Sequence, residues 1–251
     1  MSERPVRIKV RDVELATREE DRKPRLRTEP LFLWGHGLMG SMAQEDAVPI
    51  FDWSPVYRHA RLVRYDARSH GESDLDLDPA HLRWPELARD MLALADALGA
   101  ERALLGGVSM GCATSLHAAI LARERVIGLV LVAPPTAWQT RPRQARFYRI
   151  AALQAGVIEQ FARSDARAVA TAMRGAADSD LPDHAALRGL HVPTLVLAWR
   201  GDPTHPVSTA TQLADLLPRA ELHVATTLDE VRAWPDLIAA FAARARSERR
   251  P

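Results

Sequence analysis

The sequence has little lysine, one cysteine and no long apolar run. These shortages, together with the distribution of the arginines, argue against several classes of protein. Only Lys9 and Lys23 are lysine among the 33 basic residues, and the formal net charge of the 251-residue chain is +1. The arginines are interspersed with Asp and Glu, whereas a nucleic-acid-binding protein gathers its basic residues on one face. We therefore expect no nucleic-acid partner. The single thiol, Cys112, has no partner for an internal disulfide, so nothing here requires an oxidising compartment.

Membrane and metal signals are also lacking. No apolar run approaches the roughly 18 residues that span a bilayer, and the charged N-terminal stretch lacks the apolar core of a signal peptide. These absences predict a cytoplasmic protein with no membrane partner. The residues show no metal-ligand spacing and give no reason to expect a cofactor, and they leave the oligomeric state open. With 47% hydrophobic residues, the chain is long enough for a single domain over residues 1–251.

What the chain does have is a regular alternation of short apolar runs with amphipathic stretches. This pattern predicts an α/β protein whose mostly parallel sheet is covered by helices on both faces. Only two residues separate the first two runs, so these should form an antiparallel edge, since a parallel crossover needs a dozen or more. The predicted strands are 7–10, 13–17, 31–34, 60–65, 103–107, 127–132, 194–198 and 221–225. The predicted helices are 84–98, 110–122, 207–217 and 235–246.

A serine turn follows the fifth predicted strand. The sequence reads LLGGVSMGCATSLHAA, in which Gly107, Ser109 and Gly111 form a G-x-S-x-G pattern between a strand and a small-residue helix. Flanking glycines permit a sharp turn, and the helix N-terminus behind Ser109 favours developing negative charge. The pattern also arises by chance in glycine-bearing turns, but this context favours a nucleophile. We interpret Cys112, just beyond, as a small buried residue and not as a second nucleophile.

Two further segments accompany this turn. The third predicted strand is followed by WGHGLMGS, and the fourth by RYDARSHGES. In this order and spacing the three segments resemble the α/β-hydrolase superfamily, and its esterase and enol-lactone hydrolase branches in particular, over about residues 31–241. The resemblance implies an α/β-hydrolase fold: an eight-stranded mostly parallel sheet with helices on both faces and a short helical cap.

The resemblance also implies roles for single residues. Ser109 would be the nucleophile that forms an acyl-enzyme, and the backbone N–H groups of Leu38 and Met110 would form the oxyanion hole. His36 belongs to the His-Gly turn beside that site, and we interpret it as structural.

The loop after the fourth predicted strand is also expected to be structural. By resemblance, Asp66, Arg68, Gly71 and Ser73 brace it by hydrogen bonds and take no part in the chemistry. Ser69 stands where the family has glycine, and we expect this departure to shift the local backbone geometry, because glycine commonly supplies a positive φ that serine adopts at a cost.

The acid and the base of a catalytic triad are less simply placed. The segment VPTLVLAWRGDPTHPVSTATQLADLLP resembles the one that carries the family's acid and puts Asp202 at that position; an Asp-Pro turn former is the alternative. The family's late histidine should then fall near Leu228. The stretch HVATTLDEVRAWPDL has none there, and His223 lies inside the predicted eighth strand.

His205 is the attractive substitute because it follows Asp202 by three residues on the same loop. Asp202, Asp229 or Glu230 would hold one of its ring nitrogens, preserving the roles of nucleophile, base and orienting acid from altered chain positions. The alternatives for His205 are a loop residue that caps the next helix, or a substrate-binding residue.

An insertion at about 138–190 stands where related hydrolases carry a helical cap. An apolar stripe in it should pack inward: Phe147, Ile150, Leu153, Val157, Ile158 and Phe161. One of Arg141, Arg143, Arg146 and Arg149 would clamp a substrate carboxylate, although a solvated face is the favoured interpretation. Four further residues would line a substrate pocket or belong to the core: Trp34, Met39, Trp138 and Trp199.

Together these features predict a serine-dependent hydrolase whose partner is a small acyl substrate: a carboxylic ester, lactone or thioester. A serine nucleophile argues against haloalkane dehalogenases and epoxide hydrolases, which use aspartate in the families that this chain resembles, and leaves carbon–carbon bond hydrolysis open. The alternative is a non-catalytic or nearly inactive α/β-hydrolase-fold protein that binds a small molecule, motivated by the missing late histidine.

Overall fold

A single sheet of eight strands organises the chain in the computed structural model, which describes residues 4–20, 29–47, 51–154 and 165–247. All eight predicted strands are present, with bounds that differ from the prediction by no more than two residues. They are β1 (Val6–Val10), β2 (Val13–Glu19), β3 (Leu31–Gly35), β4 (Arg61–Tyr65), β5 (Ala103–Val108), β6 (Val126–Val132), β7 (Thr194–Trp199) and β8 (Ala220–Ala225).

The sheet order is β1-β2-β4-β3-β5-β6-β7-β8. The β1–β2 hairpin is antiparallel, as predicted, with Val10 opposite Val13, and β2 also pairs antiparallel with β4. The pairs from β4 to β8 are parallel. Strands β3 and β6 are buried along their whole length, as expected for central parallel strands with helices on both faces.

The four predicted helices are present, and further helices lie in the connections. The described helices are α1 (Met42–Ala47), α2 (Trp84–Ala97), α3 (Met110–Leu121), α4 (Arg141–Leu153), α5 (Ala166–Ala177), α6 (His184–Arg188), α7 (Val207–Leu216), α8 (Leu228–Arg232) and α9 (Trp234–Ser247). Short 3-10 turns lie at Val56–Arg58, Pro79–Leu82, Arg123–Arg125 and Trp138–Thr140.

Each face of the sheet has its own apolar core. On one face, α2 presents Leu87 and Met91 at helical spacing to Leu33 and Leu105 of the sheet. On the other face, Ile238 and Phe241 of α9 join the cluster that contains Phe32 and Leu104. The active end of such a sheet is where its parallel strands terminate, so both layers hold the loops after β3, β5 and β7 in place.

The insertion between β6 and β7 carries α4, α5 and α6 and packs on the loop after β3. Alanines let α4 approach α5 closely, and their contact includes Ala152 and Met173 with Leu38 and Met39 of that loop. The expected inward stripe is wrong in its described part: Phe147, Ile150 and Leu153 are 63%, 49% and 80% exposed. Small residues, and not this stripe, form the inner face of α4. Val157, Ile158 and Phe161 lie outside the described residues.

Arg141 is a structural residue and not a substrate clamp. Its guanidinium lies 4.3 Å from the Trp84 ring centroid and 5.3 Å from that of Tyr148, and it donates to the carbonyl oxygen of Ser179 at 2.7 Å. Arg143, Arg146 and Arg149 are exposed, as the favoured interpretation has it, and Arg149 pairs with Asp178 at 2.9 Å.

Among the described residues, no helix is both long enough and apolar enough to cross a membrane.

We predict that Gly111→Ala destabilises the protein by about 1–3 kcal/mol, the usual cost of overpacking a core. An added Cβ at Gly111 would overlap the carbonyl oxygen of Gly35, and both positions are backbone that cannot rotate away. Urea unfolding of the two proteins measures the difference. The matched control is Gly189→Ala, where φ is −81° and the nearest atoms to an added Cβ lie 3.6 Å away, so its midpoint should barely change. An unchanged midpoint for Gly111→Ala would contradict the close approach.

Candidate active site

Ser109 lies in a strained turn between β5 and α3. Its φ of 52° and ψ of −104° place it in a region that non-glycine residues rarely adopt, and such strain is characteristic of functional sites. A Cβ at Gly107 or Gly111 would overlap the carbonyl oxygen of Gly35. The two glycines therefore let β3, β5 and the start of α3 meet, and this meeting forces the turn that holds Ser109 at the end of the sheet.

Two backbone N–H groups accompany Ser109. Met110 is the first residue of α3, so its N–H has no acceptor within the helix. The backbone hydrogen bonds of the described loops and helix ends use neither this N–H nor that of Leu38. Gly37, which precedes Leu38, lies against the nucleophile: a Cβ there would be 3.6 Å from Cβ of Ser109. Among the described residues, the backbone hydrogen bonds therefore leave both N–H groups without an acceptor.

His36 holds the loop after β3 and has no nitrogen left for chemistry. Its Nδ1 donates to the carbonyl oxygen of Gly37 at 2.7 Å, and its Nε2 accepts from the N–H of Ala67 at 2.9 Å. Burial lowers the pKa of His36 to about 4, so the ring is neutral at physiological pH. It fastens the loop that carries Leu38 to the loop that follows β4.

The loop after β4 is braced by buried polar groups. Asp66 accepts hydrogen bonds from the N–H groups of Met42 and Glu72 at 2.7 and 2.9 Å, and its carbonyl oxygen accepts from the Ser73 hydroxyl. Ser69 keeps a positive φ, 60°, in place of the family's glycine, and its hydroxyl bonds with the backbone of Asp76.

Arg68 ties the same loop to the edge of the sheet. It is 1% exposed and donates to the carboxylates of Asp12, Asp76 and Asp90. These acids lie in three separate segments, so one buried guanidinium fixes where they meet. The positions of Asp66, Arg68 and Ser73 are those of bracing residues.

Asp202 and His205 are brought together by the loop after β7. The Nδ1 of His205 lies 2.7 Å from Oδ2 of Asp202, while Oδ1 accepts from the N–H and the hydroxyl of Thr204, both at 2.8 Å. Burial alone would raise the pKa of Asp202, but these hydrogen bonds outweigh it and hold that pKa below its ordinary value. Asp202 is therefore ionised at neutral pH and orients the imidazole through Nδ1.

The loop after β8 is a capped helix and supplies no acid to His205. Thr227 caps α8 by accepting from the N–H of Glu230, and Glu230 accepts in return from the N–H of Thr226. Asp229 pairs with Arg232 at 2.8 Å. Of the three acids considered for a ring nitrogen of His205, Asp202 makes the contact, while Asp229 and Glu230 bond elsewhere. His223 lies in β8 and is exposed.

The structure does not join His205 to the nucleophile. In the described ranges, no side chain hydrogen-bonds to the Ser109 hydroxyl. Strand β7 is two places from β5 in the sheet, a lateral separation of about 10 Å at the usual strand spacing. The site thus contains the strained Ser109 at the end of β5 and, separately, the Asp202–His205 pair.

The four residues predicted to line the pocket occupy different settings. Trp34 takes the core alternative: it is fully buried and packs edge-on against Trp53, with ring centroids 4.7 Å apart. Trp138 donates from its indole to the carbonyl oxygen of Pro182 at 3.1 Å and packs on the core. Trp199 packs against the second core cluster, and Met39 contacts the cluster formed by α4 and α5.

A cavity of about 270 Å³ lies between the loop after β3 and the end of β5, and its wall includes Val108, which immediately precedes Ser109. Residues that the sequence analysis did not single out form much of its wall. The sequence signal that could have pointed to this wall is the aromatic pair Phe51 and Trp53 in the otherwise irregular stretch 51–60. The lining residues are His36, Gly37, Gly40, Gln44, Glu45, Phe51, Trp53 and Val108.

Cys112 is buried and unsuited to act as a nucleophile. Its thiol lies 3.1 Å from the carbonyl oxygen of Gly107 and 3.0 Å from that of Val132. Burial raises the pKa of this thiol well above its ordinary value, so it stays protonated.

The α/β-hydrolase fold family model matches residues 30–186 of this chain, more than half of its length. The 3-oxoadipate enol-lactonase 1 of Acinetobacter baylyi is 26% identical over 174 residues, which cover 59% of this chain. The chain spans 64% of that relative's length.

Solved structures share the whole architecture. A hydrolase from Pseudomonas aeruginosa PA01 superposes with a TM-score of 0.76 at 24% identity, over 96% of this chain and 97% of its own. The enol-lactonase from Burkholderia xenovorans LB400 gives a TM-score of 0.71 at 21% identity, over 94% and 99%. At these identities the likeness shows the fold alone. The family match, the sheet order and the strained serine turn establish that this chain belongs to the α/β-hydrolase fold family.

Proposed function

We propose that this chain is a serine hydrolase that cleaves a small carboxylic ester, lactone or thioester through an acyl-enzyme on Ser109. The observation that carries the proposal is the strained serine with two unpaired backbone N–H groups and a cavity beside it. Backbone strain costs stability and is kept where it serves function. The enol-lactonase relative supports the lactone and ester classes.

In the proposed reaction, Oγ of Ser109 attacks the carbonyl carbon and passes its proton to Nε2 of His205. The resulting oxyanion accepts hydrogen bonds from the N–H groups of Leu38 and Met110. Collapse of this intermediate breaks the bond to the leaving group, which takes the proton from His205. Water then attacks the acyl-enzyme by the same route and frees the acid. Asp202 stabilises the protonated imidazole throughout.

His205 has to approach Ser109 for this chemistry. Its Nδ1 is already held by Asp202, so Nε2 is the nitrogen that remains for the serine. The pair lies on the loop between β7 and α7, and a movement of this loop across the end of β6 closes the gap. Catalytic hydrogen bonds often form only when substrate is bound.

A binding protein is the second candidate function. It is favoured by the Ser109 hydroxyl, which has no side-chain partner in the described part of the chain, and by the α8 helix where the family's late histidine is expected. In that case the cavity would hold a small molecule without turnover.

We expect a fluorophosphonate to label wild-type protein at one site and to leave Ser109→Ala unlabelled, because only an activated serine attacks the reagent. Intact-mass analysis measures the adduct without knowledge of the substrate. The control is Ser208→Ala, which changes an exposed serine of α7 and should label like wild type. A wild-type protein that is folded and unlabelled would favour the binding protein.

We further expect His205→Ala to lower the rate of labelling and of short-ester hydrolysis by about 10³-fold or more, since the general base of a triad acts as a unit with its nucleophile. Initial rates on a short activated ester measure the change. His223→Ala removes an exposed imidazole from β8 and serves as the matched control. A loss below about tenfold would leave His205 a structural residue of its loop and would exclude it as the base.

A further inference from the structure

The cavity beside Ser109 has an apolar wall and a polar end. Phe51 and Trp53 form the wall with Val108, and the two aromatic rings pack edge-on at 5.3 Å. The polar end consists of the side chains of Gln44 and Glu45 from α1. A site with apolar walls and one convergent polar group is the usual form of a small-molecule subsite.

The cavity is placed to receive a group attached to Ser109. Val108 of its wall immediately precedes the nucleophile. Gly37, another wall residue, leaves the space between its own Cα and Ser109 free of any side chain. An acyl group bonded to the serine would therefore extend past Gly37 toward Phe51, Trp53 and the carboxyl group of Glu45.

Glu45 is the least neutralised carboxylate of a partly buried cluster that also contains Glu20 and Asp46. Its oxygens accept from Nε1 of Trp34 at 3.2 Å and from Nη1 of Arg64 at 3.3 Å. Arg64 makes shorter hydrogen bonds, 2.7 Å each, with Glu20 and Asp46. Each carboxylate oxygen of Glu45 thus retains a lone pair, since a carboxylate accepts about four hydrogen bonds in all.

The charge around the cavity is negative. The guanidinium groups of Arg18 and Arg64 pair with Glu20, Glu45 and Asp46, so two positive charges face three negative ones within the described residues. Burial raises the pKa of Glu45, and Arg64 opposes that rise. A second carboxylate brought into this cavity would therefore meet the negative charge of Glu45 and of the described residues around it.

We propose that this cavity is the acyl subsite and that Glu45 determines its specificity, favouring acyl groups with a hydrogen-bond donor at their far end and disfavouring those that end in a carboxylate. The donor is a hydroxyl, an amide N–H or an ammonium group. This proposal rests on the proposed function, because an acyl group reaches the cavity from Ser109.

Binding of non-reacting analogues tests the specificity without turnover. The probes are 4-hydroxybutyramide, butyramide and succinamate, which share a four-carbon acyl chain and differ at its end. Ligand-observed NMR titration at mildly alkaline pH gives a Kd for each. For wild type we expect the hydroxyl compound to bind about tenfold more tightly than succinamate, in keeping with the strength of a hydrogen bond to a charged group.

Three variants separate the role of Glu45 from general effects. Glu45→Gln keeps the size of the side chain and removes the charge, so the preference should fall to within about threefold. Gln44→Glu adds a carboxylate to the same wall and should weaken succinamate binding further, which provides a second test where Glu45→Gln does not fold. Glu124→Gln removes a charge from the exposed 3-10 turn Arg123–Arg125 and should bind like wild type.

Equal affinity of wild type for the hydroxyl and carboxylate compounds would overturn the proposal, as would binding of none of the three. A ratio unchanged in folded Glu45→Gln would also overturn it. These outcomes are distinct from failure of the proposed function, which is read from fluorophosphonate labelling. A labelled protein without selectivity loses only the specificity, whereas an unlabelled protein that binds selectively loses only the hydrolytic reaction.

Discussion

The close approach of Gly35, Gly107 and Gly111 is the constraint on which the site depends. At the end of the central strands, the carbonyl oxygen of Gly35 occupies the space that a side chain at Gly107 or Gly111 would need. Because β3, β5 and the start of α3 meet there without side chains between them, the chain turns sharply enough to hold Ser109 at φ 52°. The position of the nucleophile therefore follows from backbone packing and not from any hydrogen bond of its hydroxyl.

Buried polar groups hold the surrounding loops against this point. His36 joins the loop after β3 to the loop after β4, and Asp66 joins the latter to the start of α1. Arg68 adds three carboxylates from separate segments. Unpaired, each of these groups would cost free energy in the interior, so their pairing fixes one arrangement of the loops. The positions of Leu38 and of the cavity wall depend on that arrangement.

The acid and the imidazole belong to one loop, which sets this chain apart from the pattern that the family resemblance implies. A three-residue separation lets Asp202 hold Nδ1 of His205 within a single turn, without contributions from elsewhere in the fold. The loop after β8 does not contribute to this contact and folds as a capped helix. The contact between this acid and this imidazole is thus local, and the position of the pair relative to Ser109 is set by the loop between β7 and α7.

By itself the sequence determined the strands, the antiparallel edge and the serine turn, because apolar periodicity and glycine placement act over a few residues. It also predicted that Asp202 and His205 lie together on one loop. Only the tertiary structure decided that Trp34 is core, that the Phe147 face of α4 points outward, that Arg141 is buried and that Glu45 ends the cavity. Those outcomes depend on which distant segments pack together, and a local sequence pattern does not specify the segment against which it packs.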